Sequence, residues 1–330
     1  MLKVLQEHSA TGIGRFQECA QKYYYEYVDR YEPIVKSTAL KAGTITHIGQ
    51  ESYWNGHNLE AALECMDSET KENGWHEDPL FLPKVRSYIK GYYHRWETND
   101  KLLSDRYEVL GVEEGFTYPS GVDGALLAGK IDVVLYDKEE DITILLEHKG
   151  TSNLLAQDIG SSYWDMLGMN TQLYIYADYL IKKYNRPVQA LWDVTITSPK
   201  SRPAQKSKIG KRKSESAEEW AYRKVQNMET IEEFEKRLTE TYINTPDKFI
   251  RKRIPILNHR LERKMGEIRT VIGQMQSDFD PIRNTNACSS FGGCAYLDIC
   301  LGYGTLEESK RFKKRIKPNK KVKFKNPLPF

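Results

Sequence analysis

The 330-residue sequence lacks the features that would place it in a membrane or outside the cell. It has no run of about 18 apolar residues, which excludes a transmembrane helix. Residues 1–14 do not combine a basic start with an apolar stretch, so we expect no secretory signal and a cytoplasmic location. Its five cysteines are then expected to be metal ligands, reactive thiols or core residues rather than disulfides.

The sequence also has little net charge, because 49 Lys and Arg residues face 46 Asp and Glu residues and leave a formal charge of +3. The charge is unevenly distributed. The segment from Lys310 to the end carries ten basic and no acidic residues, which leaves −7 for residues 1–309 (+3 less +10). Three phenylalanines lie among these charges. The segment can therefore bind the phosphates and bases of a nucleic acid or act as a solubilising terminus, and the pattern leaves both readings open.

Composition and hydrophobic periodicity predict an α/β protein with a substantial core. Hydrophobic residues make up 39% and aromatic residues 11% of the chain, which excludes wholesale disorder. A prior of about 150 residues per domain gives two domains or one elaborated core. After a helical first hundred residues, the patterns predict strands over 107–118, 126–136, 142–149, 191–198 and 249–256. Single helices are predicted over 9–28, 163–184 and 218–242.

Two carboxylates interrupt apolar strands. Asp132 lies in the apolar run 131–134, and Glu147 and Lys149 end the apolar strand at 142–149. Side chains alternate along a strand, so Glu147 and Lys149 share one face and His148 points the other way. A buried charge is costly unless it is paired or bound to a metal. Either strand alone suits a structural ion pair, but the two consecutive strands together favour a magnesium or manganese site for phosphoester hydrolysis, with Lys149 assisting.

Three of the cysteines lie close together in a glycine-rich segment. Cys288, Cys294 and Cys300 fall within one stretch of 13 residues. Such a density in a reducing compartment indicates a metal site. Tetrahedral ligation needs a fourth thiolate, which Cys19 or Cys65 could supply. The residues alone do not separate zinc from an iron–sulfur cluster, because both accept four thiolates.

The motifs together resemble the PD-(D/E)xK nuclease superfamily. They are Gly129-Lys130-Ile131-Asp132, Glu147-His148-Lys149 and, at i,i+4 on the following helix, Gln172 and Tyr176. An upstream helix histidine, His47, adds a resemblance to the RecB-like branch, which includes AddB-type nucleases and CRISPR-associated four-cysteine exonucleases, and which has phage members. Ile131 replaces the proline of the first motif, as is common in that branch. The resemblance covers most of residues 9–300 and implies a restriction-endonuclease-like core, in which helices flank a mixed central sheet.

The resemblance implies a role for each matching residue. The residues that would bind Mg²⁺ or Mn²⁺ are His47, Asp132, Glu147 and, through its backbone carbonyl, His148. The residues that would carry catalysis are Asp132, Glu147 and Lys149, and those that would support the site are Glu113, Gln172 and Tyr176. The ligands of a 4Fe–4S cluster would be Cys19, Cys288, Cys294 and Cys300, with zinc as the alternative occupant and Cys65 as a core residue.

We therefore expect a helical segment over 1–100 that contributes Cys19 and His47, a nuclease core over 101–256, a helix and iron–sulfur loop over 257–305, and a basic tail over 306–330. The expected activity is metal-dependent DNA hydrolysis by an exonuclease that acts on single strands or duplex ends in recombination, repair or phage DNA processing. No Gly-x-x-x-x-Gly-Lys-Ser/Thr motif is present, so a helicase or recombination protein would have to unwind a duplex. The alternatives are a non-catalytic DNA-binding module with a structural metal cluster and a structure-specific endonuclease.

Overall fold

A mixed β-sheet lies at the centre of the computed structural model, which describes residues 7–97, 100–278 and 280–315. In chain order the strands are β1 (Glu7–Ser9), β2 (Tyr31–Pro33), β3 (Tyr107–Pro119), β4 (Leu126–Asp137), β5 (Ile142–Thr151), β6 (Val188–Ile196), β7 (Phe249–Pro255) and β8 (Phe312–Lys314). The main sheet has the order β1-β4-β5-β6-β7, and β3 also pairs with β4. β1 is parallel to β4 and β5 is parallel to β6, whereas the other pairs in this sheet are antiparallel. β2 and β8 form a separate two-stranded sheet.

Helices cover both faces of the main sheet. They are α1 (Ala10–Glu18), α2 (Ala20–Tyr23), α3 (Thr38–Trp54), α4 (Leu59–Glu72), α5 (Phe81–Trp96), α6 (Ser162–Gly168), α7 (Thr171–Tyr184), α8 (Ala217–Gln226), α9 (Ile231–Ile243), α10 (Asn258–Gln276) and α11 (Leu297–Cys300). α1, α7 and α10 share one hydrophobic core with the sheet, and α3, α5 and α9 share the core on its opposite face. This arrangement confirms the predicted α/β fold. No helix in the described ranges is both long and apolar enough to cross a membrane.

Three segments predicted as single helices are divided in the structure. The helix predicted over 9–28 stops at Cys19, whose extended backbone separates α1 from α2. The helix predicted over 163–184 divides at Asn170, whose side chain accepts a hydrogen bond of 2.9 Å from the Gln172 N–H. The helix predicted over 218–242 divides before Thr230, which forms a capping box with Glu233. At the last two breaks, a side-chain cap accepts hydrogen bonds from the first N–H groups of a new helix. The helical spacing of apolar residues continues across each break, which is why the sequence pattern predicted one helix.

β4 changes partners along one edge, and this change creates a gap. β5 pairs with residues 133–137 of β4, whereas β1 pairs with residues 126–128. β3 pairs with β4 along its opposite edge over almost its full length. In the described register, residues 129–132 therefore pair with neither β1 nor β5, and we call this gap the fork. Backbone groups at the fork need hydrogen-bond partners other than a β-ladder. The predicted basic tail lies outside the described residues from 316 onward.

Gly129 lies at the fork beneath two buried aromatic rings. A Cβ atom there would lie 2.5 Å from Tyr176 Cε1 and 2.7 Å from Phe116 Cζ. These two rings pack edge to face, with their centroids 5.2 Å apart. Glycine at this position therefore allows α7 to approach β4 closely.

We expect Gly129→Ala to lower the free energy of unfolding by about 1–3 kcal/mol, because the added methyl group must displace these rings. Gly115→Ala on β3 is the matched control, because a Cβ there would meet no atom within 4 Å in the described structure. Urea unfolding of both variants measures the difference. Equal stability of the two variants would contradict close packing of the two rings against Gly129.

Candidate active site

Asp132 occupies the fork and is hydrogen-bonded to the neighbouring strand. It is 8% exposed. Its Oδ2 accepts a hydrogen bond of 2.7 Å from the backbone N–H of His148, and its Oδ1 lies 3.4 Å from Nδ1 of His47. Burial alone would raise the pKa of Asp132, but the hydrogen bond from His47 and the nearby His148 outweigh it and leave the pKa below its usual value. The environment thus favours the ionised carboxylate.

Glu147 lies beside Asp132, on the other side of the fork. Its Oε1 accepts a hydrogen bond of 3.4 Å from the Asp132 N–H, and its Oε2 accepts one from the side-chain amide of Gln172 in the first turn of α7. The side chain is 3% exposed. Burial, and after it the charge of Asp132, raise the pKa of Glu147 well above its usual value. The two acids are therefore electrostatically coupled at one point of the sheet.

His47 and Glu113 complete a group of potential metal ligands. The β3–β4 register pairs residue 112 with 133 and residue 114 with 131, which places Glu113 opposite Asp132. Glu113 adopts a left-handed backbone conformation with φ 53°, which costs a non-glycine residue about 1–3 kcal/mol. Within the described ranges, one ligand atom each from His47, Glu113 and Asp132 lie within 4.8 Å of one another. The sequence motif placed Glu113 in a supporting role, and its position beside Asp132 also makes it a potential ligand.

The remaining motif residues lie at the edges of this group. Lys149 is exposed near the end of β5, two residues beyond Glu147. Lys130 pairs with the Glu113 carboxylate across β3 and β4. Tyr176 lies one turn after Gln172 on α7 and is 6% exposed. α7 therefore brings both predicted supporting residues to the fork.

A buried ionic network, which the sequence motifs did not reveal, lies behind the site. Asp193 on β6 has no exposed surface, and its Oδ2 accepts hydrogen bonds from Tyr92 Oη at 2.7 Å and Arg251 Nε at 3.1 Å. The same oxygen lies 3.4 Å from Nδ1 of His148. Burial alone would raise the pKa of Asp193, but Arg251, His148 and Tyr92 lower it to about 2. A charge inside an apolar strand was the available signal, as it was for Asp132.

The four cysteines expected to act together come from the two ends of the chain. The thiol of Cys19 accepts a hydrogen bond of 3.5 Å from the Asn284 N–H, and the Cys294 N–H donates to the Cys288 carbonyl at 2.8 Å. Burial raises the pKa of the Cys300 thiol; Tyr25 and Arg283 oppose this shift, and the nearby Cys19 and Cys288 add to it. The helix break at Cys19 thus directs that thiol toward the carboxyl-terminal segment.

The prediction that Cys65 is a core residue is wrong. Cys65 is exposed on α4, and its neighbours Ala62 and Met66 occupy the buried positions of that helix. Ala62 and Met66 are four residues apart and share the hydrophobic face of α4, whereas position 65 lies outside that face.

The sequence of this chain matches the model of a known protein family. The model of the PD-(D/E)XK nuclease superfamily matches residues 7–301. This range includes the main sheet, the fork and the four cysteines Cys19, Cys288, Cys294 and Cys300. The chain belongs to the PD-(D/E)XK nuclease superfamily. This match confirms the superfamily that the sequence motifs indicate. No curated protein matches the sequence.

A solved structure shows the same fold over nearly the whole chain. It is the crystal structure of a candidate exonuclease from Eubacterium rectale, with a TM-score of 0.51. The similarity covers 94% of this chain and 91% of that chain, at 15% sequence identity. At this identity the likeness establishes the fold alone.

We expect Asp132→Asn and Glu113→Gln to weaken Mn²⁺ binding by at least about tenfold each, because each removes one carboxylate from the group around the fork. Glu114→Gln is the matched control, since Glu114 instead hydrogen-bonds Tyr179 at 3.0 Å. Isothermal titration with Mn²⁺ measures the affinities. An unchanged affinity in Glu113→Gln would remove Glu113 from the ligand set.

Proposed function

We propose that this protein is a metal-dependent deoxyribonuclease of the RecB-like branch, and that it acts as an exonuclease on single-stranded DNA or duplex ends. The observation that carries the proposal is the fork, where ligand atoms of His47, Glu113 and Asp132 converge. Glu147 and Lys149 follow on the adjoining strand, in the spacing of the superfamily motif. The superfamily match over residues 7–301 supports nuclease chemistry at this position.

The proposed metal is Mg²⁺ or Mn²⁺. One imidazole and two carboxylates are donors that suit such cations, and the separation of their ligand atoms by no more than 4.8 Å fits one ion. Glu147 and the backbone carbonyl of His148 are the further ligands that the motif implies. When bound, the cation lowers the pKa of a water molecule and offsets negative charge on a phosphate.

The residues around the metal would orient the reacting groups. Gln172 holds one oxygen of Glu147 and the Asp132 N–H holds the other, so the Glu147 carboxyl has a defined orientation. Lys149 leaves β5 on the same face as Glu147. Its exposed ammonium group can donate to the attacking water or to a phosphate oxygen as negative charge develops there.

A basic loop near the fork would hold the DNA backbone. Parallel β5 and β6 end at the same edge of the sheet, so the loop over 197–216 leaves β6 beside the end of β5 that carries Lys149. This loop contains seven Lys and Arg residues, which can neutralise phosphates. A helicase or recombination protein remains the proposed partner for duplex substrates.

We expect Asp132→Ala and Lys149→Ala to slow degradation of end-labelled single-stranded DNA by at least about a hundredfold in Mn²⁺, because each removes a group that stabilises the transition state. Lys138→Ala, just beyond the opposite end of β4, is the control and should retain the wild-type rate. Gel analysis of linear and closed circular single strands measures both rate and mode.

Each other result of that assay would point to a different function. Full activity in Asp132→Ala and Lys149→Ala would contradict the catalytic assignment. Cleavage of the closed circle would identify an endonuclease, since an exonuclease needs an end. A wild-type protein that binds DNA and cleaves neither form would be a binding module.

We also propose that Cys19, Cys288, Cys294 and Cys300 bind a 4Fe–4S cluster. Four thiolates suit either zinc or an iron–sulfur cluster. The Cys300 thiol interacts electrostatically with Cys19 and Cys288, and the Cys294 thiol interacts with Cys288 and Cys300. The four thiols therefore belong to one neighbourhood, and the resemblance to four-cysteine nucleases favours an iron–sulfur cluster there, which would join the segment around Cys19 to residues 288–300.

We expect Cys19→Ser to abolish the broad visible absorption of a thiolate-bound cluster in protein purified without oxygen, because it removes one of four ligands. Cys65→Ser should retain the absorption, since Cys65 is exposed on α4. Iron and sulfide analysis accompanies the spectra. A colourless wild-type protein that contains zinc would contradict the proposal.

A further inference from the structure

Five large apolar side chains are exposed on the segment that joins β5 to α7, which we call the 154–169 platform. They are Leu154, Leu155, Ile159, Met166 and Met169, with exposed fractions between 54% and 68%. Exposed apolar side chains concentrated in one segment indicate an interaction surface.

The platform is held in place by buried groups beneath it. Trp164 is 1% exposed, and its Nε1 donates a hydrogen bond of 3.2 Å to the Ala156 carbonyl. Ser161 Oγ donates to the Leu155 carbonyl at 2.6 Å, and Tyr174 Oη donates to the Gly168 carbonyl at 2.9 Å. The outward side chains therefore stand on a fixed backbone.

The platform adjoins motif residues of the candidate active site in sequence at both of its ends. It begins five residues after Lys149 and ends three residues before Gln172, whose amide contacts Glu147. The two ends of the platform are therefore tied to residues of the candidate active site. Cations flank the platform, since Lys149 is exposed and the Lys252 ammonium donates to the Ile159 carbonyl. The exposed Asp165 on α6 disfavours phosphate on the platform itself.

We propose that the 154–169 platform contacts the unpaired bases of a DNA strand whose phosphates lie at the fork. The inference rests on the proposed nuclease function and defines the form of its substrate. Leu, Ile and Met side chains pack on base faces and insert between base steps, and an unpaired base presents both of its faces. A paired duplex stacks these faces internally, so the platform selects strands that are unpaired next to the scissile phosphate.

The test compares two pairs of substitutions with the same spacing and exposure. Met166→Gln with Met169→Gln alters the platform. Tyr222→Gln with Val225→Gln on α8 is the control, because these side chains are 69% and 68% exposed. Fluorescence anisotropy in EDTA measures the affinity of each full-length protein for an oligothymidylate strand and for an abasic strand of equal length. We expect the platform variant to bind oligothymidylate about tenfold more weakly and the abasic strand unchanged. The control variant should bind both strands as the wild type does.

Several results would overturn the proposal. A wild-type protein that degrades DNA but binds both strands equally would refute the platform and leave the nuclease function intact. Equal losses in the platform and control variants would refute it in the same way. A wild-type protein that neither binds nor cleaves DNA would overturn both proposals. A dimer seen by analytical ultracentrifugation and abolished in the platform variant would show that a second copy covers this surface.

Discussion

The candidate site depends on one constraint, which is that β4 leaves β5 at residues 129–132 while the backbone N–H groups there still require acceptors. The two acids bridge this gap, since Glu147 on β5 accepts from the Asp132 N–H and Asp132 on β4 accepts from the His148 N–H of β5. The carboxylates thus continue the hydrogen bonding of the sheet where the ladder ends. This explains how two acidic side chains are accommodated in a buried position.

The face of the sheet behind the fork stabilises the same arrangement. His148 contacts Asp132 through its backbone N–H, while its ring lies beside Asp193. Asp193 in turn binds Arg251 on β7 and Tyr92 on α5, so three elements distant in sequence brace the strand that carries Glu147. A buried charge with several partners resists displacement, because removing any one partner leaves another charge unpaired. The position of the β5 backbone at the fork is defined by this network.

The segments that leave the sheet near the fork differ in chemistry. The 154–169 platform after β5 is apolar and anchored by Trp164, whereas the loop over 197–216 after β6 is basic. In a nucleic acid, the phosphates are charged whereas the faces of the bases are apolar. One edge of a single sheet can therefore offer a separate surface to each part, next to the strands that carry the acidic group.

The sequence by itself determined the fold class, the five main strands to within three residues and the elements on which the motif residues lie, because these depend on local hydrophobic period and residue spacing. Only the tertiary structure decided that Glu113 stands opposite Asp132, since its left-handed backbone departs from regular strand geometry. It also decided the pairing of β1 with β4, the Asp193 network and the exposure of Cys65. These features depend on contacts between residues far apart in the chain or on the side from which a helix packs, and local periodicity does not encode either.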